Sequence, residues 1–218
     1  MKLQKNDFIE IEFTGKIKDT GEVFDSNIKE DLEKIESKQE PKPFVFALGQ
    51  DMFLKGIEDF LVGKEIGEHT IELQPEKAFG IRQLQLIQLM PMSVFTKQKT
   101  NPVQGMMFNF DGRIGKILSV SGGRIRVDFN NPIAGKTVIY NIKVLRKIQD
   151  QNEKIKSFIE FLFRQPLKFE VKEKKLIIQA EKQMKQFIEM FADKFKDVLG
   201  MDVLVEETKP KKEQQVAQ

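Results

Sequence analysis

Five phenylalanines, Phe13, Phe24, Phe44, Phe53 and Phe79, fall at the ends of predicted elements, where aromatic faces can line a concave pocket, and Asp25 directly follows the second of them. Such a set offers no bond-making chemistry. It offers a dry apolar cup with one charged group, suited to gripping an apolar part of a ligand and orienting it. Taken singly, apolar residues in such positions more often pack in a core, and Asp25-Ser26-Asn27 also reads as a helix-capping cluster. Both readings stand on the residues alone. Other routes to catalysis are thin. The 218-residue chain has no cysteine, hence no disulfide, thiolate nucleophile or sulfur-bound metal. Its one histidine, His69, lies in the strand-like HTIEL, where a solvated side chain outweighs a ligand or a base. Neither a metal nor a cofactor is expected.

The elements that must position these residues follow from periodicity. Ile9, Ile11 and Phe13 alternate with Glu10, Glu12 and Thr14, as on a half-buried strand. A hairpin follows over 16–24, turning at Lys18-Asp19-Thr20-Gly21. Ile28, Leu32 and Ile35 predict a short charged helix that ends before Pro41. Strand character returns over 43–48, and Phe53, Leu54, Ile57, Phe60 and Leu61 then define one amphipathic helix stopped by Gly63. A strand over 68–73 and the loop 75–80 complete this part. Residues 106–110, 113–120 and 124–129 read as short strands, the last two joined by Ser121-Gly122-Gly123. Val138, Tyr140, Ile142 and Val144 alternate along a strand over 136–148. Beyond Asp150 a helix, two strands over 167–171 and 175–180, a helix over 184–198 and a final strand in MDVLVEE are expected.

Composition draws the boundaries. Residues 1–82 carry 12 Lys and Arg against 18 Asp and Glu, whereas 83–131 carry six against two, contain no glutamate and hold four of the nine methionines. Such a shift marks a separate module. The glutamine-spaced run Leu84, Leu86, Ile87, Leu89, Met90, Met92, Val94 and Phe95 fits either a flexible client-binding surface or the module's own small core. At 40% hydrophobic and 32% charged, with mean hydropathy −0.38, the chain can bury a core. No apolar run approaches the ~20 residues that span a bilayer, and charge interrupts the N-terminus before a signal-peptide core can form. A cytoplasmic protein with no membrane partner is expected. The positive charges after residue 150 are interleaved with acids and no stacking platform alternates with them, so no nucleic-acid partner is expected either.

Four stretches, TGEVFDSN (20–27), PFVFALGQDMFLKGIEDFLVGKEIGE (43–68), PEKAFG (75–80) and NPIAGKTVIYNIKV (131–144), together resemble the FKBP family of peptidyl-prolyl cis-trans isomerases. The resemblance is to the SlyD-like and long archaeal-type members that carry an insert in the flap. It implies an α+β fold, an antiparallel sheet wrapped on one helix, built from 1–82 and 131–149. It further implies that 83–130 is an inserted small β domain with chaperone character. Outside the resemblance, the periodicity beyond Asp150 gives an α/β unit (150–207) for dimerisation or client contact, and the polar stretch 208–218 is expected to be a disordered tail.

Carried over by position, the resemblance implies catalytic roles for Phe24, Asp25, Phe79 and Tyr140. Phe13, Phe44, Met52, Phe53, Leu54 and Ile57 would bind substrate, with Ile133 and Ala134 at the rim. Ile57 stands where the family often has tryptophan. Phe13 and Phe79 stand where it commonly has tyrosine, which implies a lost partner for Asp25, a lost donor to the substrate carbonyl, and either weaker activity or reliance on backbone donors. The implied partners are unfolded or partly folded polypeptides with X-Pro bonds, and the implied activity is prolyl isomerisation with client holding; the competing reading keeps the fold and the holding and drops catalysis.

Overall fold

A computed structural model describes residues 2–208; of the tail expected over 208–218 only Thr208 is described, and it closes the last strand instead, the rest lying outside the described residues. The chain runs β1 (Phe8–Ile17), β2 (Val23–Ser26), α1 (Lys29–Lys34), β3 (Phe44–Ala47), α2 (Lys55–Leu61), β4 (Gly67–Leu73), β5 (Ile87–Pro91), α3 (Ser93–Lys97), β6 (Met107–Phe110), β7 (Arg113–Ser121) and β8 (Arg124–Asp128). It continues through β9 (Val138–Lys147), α4 (Gln151–Phe163), β10 (Lys168–Lys172), β11 (Lys175–Glu181), α5 (Lys182–Glu189), α6 (Ala192–Leu199) and β12 (Asp202–Thr208). The protein is therefore a mixed α and β fold of mostly antiparallel sheets with few helices, as the FKBP fold requires. No helix among the described residues is long and apolar enough to cross a membrane.

Two compact units divide the described chain. One comprises the described part of Met1–Gly15, Asp25–Ile71 and Tyr140–Gln218, and the other Lys16–Phe24 and Glu72–Ile139. In the first unit, a five-stranded sheet has the order β2-β1-β9-β4, with β3 antiparallel to the start of β1 in the register Phe8↔Ala47 to Ile11↔Phe44. The alternation of β1 is visible in Ile9, Ile11 and Phe13, all buried. Phe8, on the opposite, otherwise polar face, is buried too, because Phe158 of α4 packs edge-on against it at 6.5 Å. Helix α4 starts where its sequence directs, the Asp150 side chain accepting from the Glu153 N–H at 2.7 Å. It buries Ile155, Phe158, Ile159 and Phe163. A second sheet, β10-β11-β12, pairs β11 antiparallel with β10 and parallel with β12. The single helix expected over 184–198 is two, broken at Met190-Phe191; residues on both sides of the break, Phe187, Phe191 and Phe195, meet the Phe163 ring at 5.8–6.3 Å.

In the second unit, Gly21 takes φ 70° and donates to Ile17 O at 2.8 Å, closing the hairpin at the expected turn. The four-stranded sheet β5-β8-β7-β6 surrounds Phe95, Phe108, Ile117, Ile125 and Val127. Strand β5 is an addition to the sequence reading. The apolar run from Leu84 goes partly into the module's own core: Phe95 is fully buried and Met90, Met92 and Val94 pack on it, while Leu84 and Leu89 stay 80% and 58% exposed. Adjacent positive φ at Gly122 and Gly123 gives the β7–β8 turn the twist a two-residue hairpin needs.

Candidate functional site

Three short pieces of backbone bring the site's groups together in the first unit. The buried face of β1 carries Phe13, β3 begins on Phe44, and the segment before α2 carries Phe53. The Phe13 and Phe53 rings lie 4.9 Å apart, and Phe44 and Phe53 lie 5.7 Å apart. Beneath them Tyr140 is fully buried, its ring 6.1 Å from Phe13 and 5.9 Å from Phe53. Offset and edge-on rings at these separations are mutually attractive and stiff, so the cup is formed before any ligand arrives. Phe13, Asp25, Phe44 and Phe53 line a cleft of about 560 Å3. Met52 and Ile57 are buried behind this lining, the Met52 sulfur accepting from the Ala47 N–H at 3.3 Å.

Asp25 is a half-buried charge on the cleft wall. Tyr140 Oη donates to its Oδ2 at 3.2 Å. Burial pushes the Asp25 carboxyl above the usual carboxylate range, opposed by the Tyr140 hydroxyl and the Ser26 N–H. Burial, then the Asp25 charge and hydrogen bond, raises the Tyr140 phenol further, so it stays a donor at all ordinary pH. Asp25 thus has a hydroxyl partner from β9, whereas position 13 carries none.

The Asp25-Ser26-Asn27 cluster does not cap α1, whose first turn has no side-chain cap and begins after Ile28. Instead it ties β2 to β1. Asn27 Oδ1 accepts from Phe13 N at 2.8 Å, its Nδ2 donates to Ile11 O and Lys42 O, and Ser26 Oγ donates to Phe13 O. Thr14 Oγ1 donates to Asp31 Oδ2 at 2.5 Å, anchoring α1 to the same place. Backbone that would otherwise be unsatisfied beside an aromatic cup is paired, and both Phe13 and Asp25 are held.

Helix α2 starts at Lys55 and not at Phe53 as the apolar spacing predicts, so Phe53 and Leu54 lie outside it, Leu54 as its extended N-cap residue. The reason is Glu58, only 1% exposed, whose carboxylate accepts from Gln50 N, Asp51 N and Phe53 N at 2.7–3.2 Å. That grip holds residues 50–53 in a loop and aims Phe53 at the cleft. Sequence reasoning passed over Glu58, although a charge among Leu54, Ile57 and Leu61 on one helical face was a signal, since a carboxylate is buried only when its hydrogen bonds are supplied.

The remaining expected site residues belong to the second unit. Phe24 and Phe79 meet edge-on at 5.4 Å, and Gly135 N donates to Gly80 O at 2.8 Å, joining the turn that carries the half-buried Ile133 and Ala134 to the Phe79 loop. His69 packs on Phe60 at 6.3 Å with a ring nitrogen 2.7 Å from Glu65 O, a structural placement. Among the described residues no cluster of three or more His, Asp or Glu is arranged to hold a metal ion.

The family model for FKBP-type peptidyl-prolyl cis-trans isomerase matches residues 1–96, and one for the FKBP26 IF domain matches 88–133. The short-type peptidyl-prolyl cis-trans isomerase of Methanocaldococcus jannaschii is 30% identical over 146 residues, 65% of this chain and 92% of its own. The chain belongs to the FKBP-type isomerases. The FKBP-type 16 kDa isomerase of Escherichia coli K12 is 32% identical over 148 residues, 66% of this chain and 92% of its own. The SlyD isomerase of Helicobacter pylori J99 is 28% identical over 139 residues, 62% and 69% of the two chains.

Proposed function

We propose that this FKBP-type isomerase accelerates rotation about X-Pro bonds in unfolded or partly folded polypeptides, with Asp25 and the cup of Phe13, Phe44 and Phe53 as its working parts. The observation that carries the reading is a half-buried carboxylate, hydrogen-bonded by Tyr140, at the wall of a preformed aromatic cleft. Amide resonance opposes the rotation by ~18–20 kcal/mol, and no covalent bond has to break. The catalyst needs only to bind the twisted amide better than the planar one. An aromatic cup grips the prolyl ring and excludes water, while oriented polar groups act on an amide whose charge distribution changes as it twists. With phenylalanine at positions 13 and 79, Tyr140 orients Asp25 and backbone donors meet the substrate carbonyl. Met52, Leu54 and Ile57 support the cup, and Phe24, Phe79, Ile133 and Ala134 contact client from the second unit.

Client holding is a second part of the proposal. Residues 83–130 form the inserted chaperone module, the isomerase domain comprises 1–82 and 131–149, and 150–207 is a C-terminal domain that contacts clients or a second copy. Supporting it, Leu84, Leu89, Val103 and Ile114 are each more than half exposed around a well-packed small core, as a surface for apolar client segments requires. The cysteine-free, charge-rich composition supports a cytoplasmic setting. Exchange NMR and a protease-coupled assay on an X-Pro peptide test both parts with the intact protein, Asp25→Ala and a variant lacking 83–130. Isomerisation lost in Asp25→Ala and kept without the insert is expected, together with slower refolding of a proline-limited protein by the shortened chain. An unchanged isomerisation rate with intact protein defeats the enzyme reading, and unchanged refolding without 83–130 defeats the holding role.

A further inference from the structure

The cleft that begins at the aromatic cup does not end there. Its volume, about 560 Å3, is in the ~300–1,000 Å3 range that encloses a drug-sized ligand, far more than a five-membered prolyl ring needs. Its far wall is α4, through Glu153, Lys156, Ser157, Glu160, Phe161 and Arg164. These positions are spaced i, i+3, i+4, i+7, i+8 and i+11, one continuous stripe of the helix, while Ile155, Phe158, Ile159 and Phe163 form the separate stripe that anchors α4 in the core. Phe161 is on the cleft stripe, half-buried and outside the core set. The Arg164 guanidinium lies over its ring, 5.4 Å from the centroid, and has no carboxylate partner among the described residues. The acids of this wall are engaged: Glu153 by Arg146, and Glu160 by Lys42 at 3.4 Å. Arg164 closes the helix with φ 55°, its backbone N–H bonded to Glu160 O at 3.0 Å, so its position is set by the helix end.

We propose that this face of α4 is an outer client subsite, in which Phe161 and Arg164 take an apolar-acidic stretch of the polypeptide flanking the proline held in the cup. The inference rests on the isomerase reading and adds a sequence preference to it. Continuity of one cleft from Phe53 to Arg164 makes the occupant the same chain whose proline is bound, and the unpaired guanidinium beside an aromatic ring selects a carboxylate side chain carried next to apolar surface. A short peptide fills the cup alone; a longer one reaches α4.

The test compares a blocked Ala-Pro tetrapeptide with longer Ala-Pro peptides bearing a Leu-Glu pair several residues before or after the proline. Intact protein, Arg164→Glu and Phe161→Ala are assayed by exchange NMR, with fluorescence-anisotropy titration of the long peptides. The expected result is a KM and Kd for at least one Leu-Glu peptide raised about three- to tenfold by either variant, with kcat unchanged and the tetrapeptide unaffected. Long-peptide affinities that do not move, or tetrapeptide turnover lost in parallel, overturn the subsite. Absence of turnover with intact protein defeats the isomerase reading instead, and the titration still decides the subsite.

Discussion

Replacing Tyr140 by phenylalanine removes one oxygen from a buried ring and leaves the cup's packing in place. What is lost is a hydroxyl donor to the Asp25 carboxylate at 3.2 Å. A hydrogen bond to a charged group contributes ~1.5–3 kcal/mol net. Here the distance is longer than the usual 2.7–2.8 Å for O–H···O and the carboxylate borders a cleft that admits water, so about 1–2 kcal/mol is expected. If Asp25 works as the ionised group that Tyr140 orients, kcat/KM for an X-Pro peptide falls about five- to thirtyfold. The pH dependence gives a second sign. Burial already raises the Asp25 carboxyl, and Tyr140 is among the groups that oppose the rise, so the variant carboxyl moves higher still and the acid limb of kcat/KM shifts to higher pH. Because the folded-state value is raised, the folded protein takes up protons at Asp25. The stability this group contributes is full below the unfolded value of 3.8 and is lost as pH rises through the folded one. Tyr140→Phe therefore destabilises more at pH 7 than below pH 4. A protease-coupled assay from pH 5 to 8 and urea titrations at both ends measure this. Activity within twofold of the parent with an unmoved acid limb refutes the role given to the pair.

Glu58→Ala leaves three backbone donors of the 50–53 loop without their acceptor and is expected to cost about 2–5 kcal/mol in urea denaturation, with a raised peptide KM as Phe53 loses its aim. Glu58→Gln, which keeps acceptor capacity, is expected to fall between. In the second unit, a Cβ at Gly115 would sit 2.5 Å from Val127 Cγ1 and 2.9 Å from Phe129 Cε1. Gly115→Ala is therefore expected to destabilise the four-stranded sheet by about 1–3 kcal/mol, read as faster amide exchange in β7 and β8 while tetrapeptide isomerisation is unchanged.

Much of the site is legible in the sequence. Alternation placed Phe13 and Tyr140 on inward faces of strands, Gly21 and the Gly122-Gly123 pair located two hairpins, and the order of the four matching stretches identified the isomerase fold. These features are local: periodicity shows which face of an element is apolar, and a turn's φ demands show which residue it needs. The tertiary structure alone decided who meets whom. Tyr140 and Asp25 are 115 residues apart, and nothing in the spacing of either announces that they hydrogen-bond. Asp25-Ser26-Asn27 has the composition of a helix cap, yet the Ser26 and Asn27 side chains bond to β1 because that backbone edge lies within reach, and Asp25 bonds to Tyr140 of β9. Helix α4 shows its apolar stripe in the sequence, but only its packing against Phe8 turns the other stripe toward the cleft. Local pattern governs what each segment buries; the partner across the gap is chosen by the fold as a whole, where burial and hydrogen-bond satisfaction must hold everywhere at once.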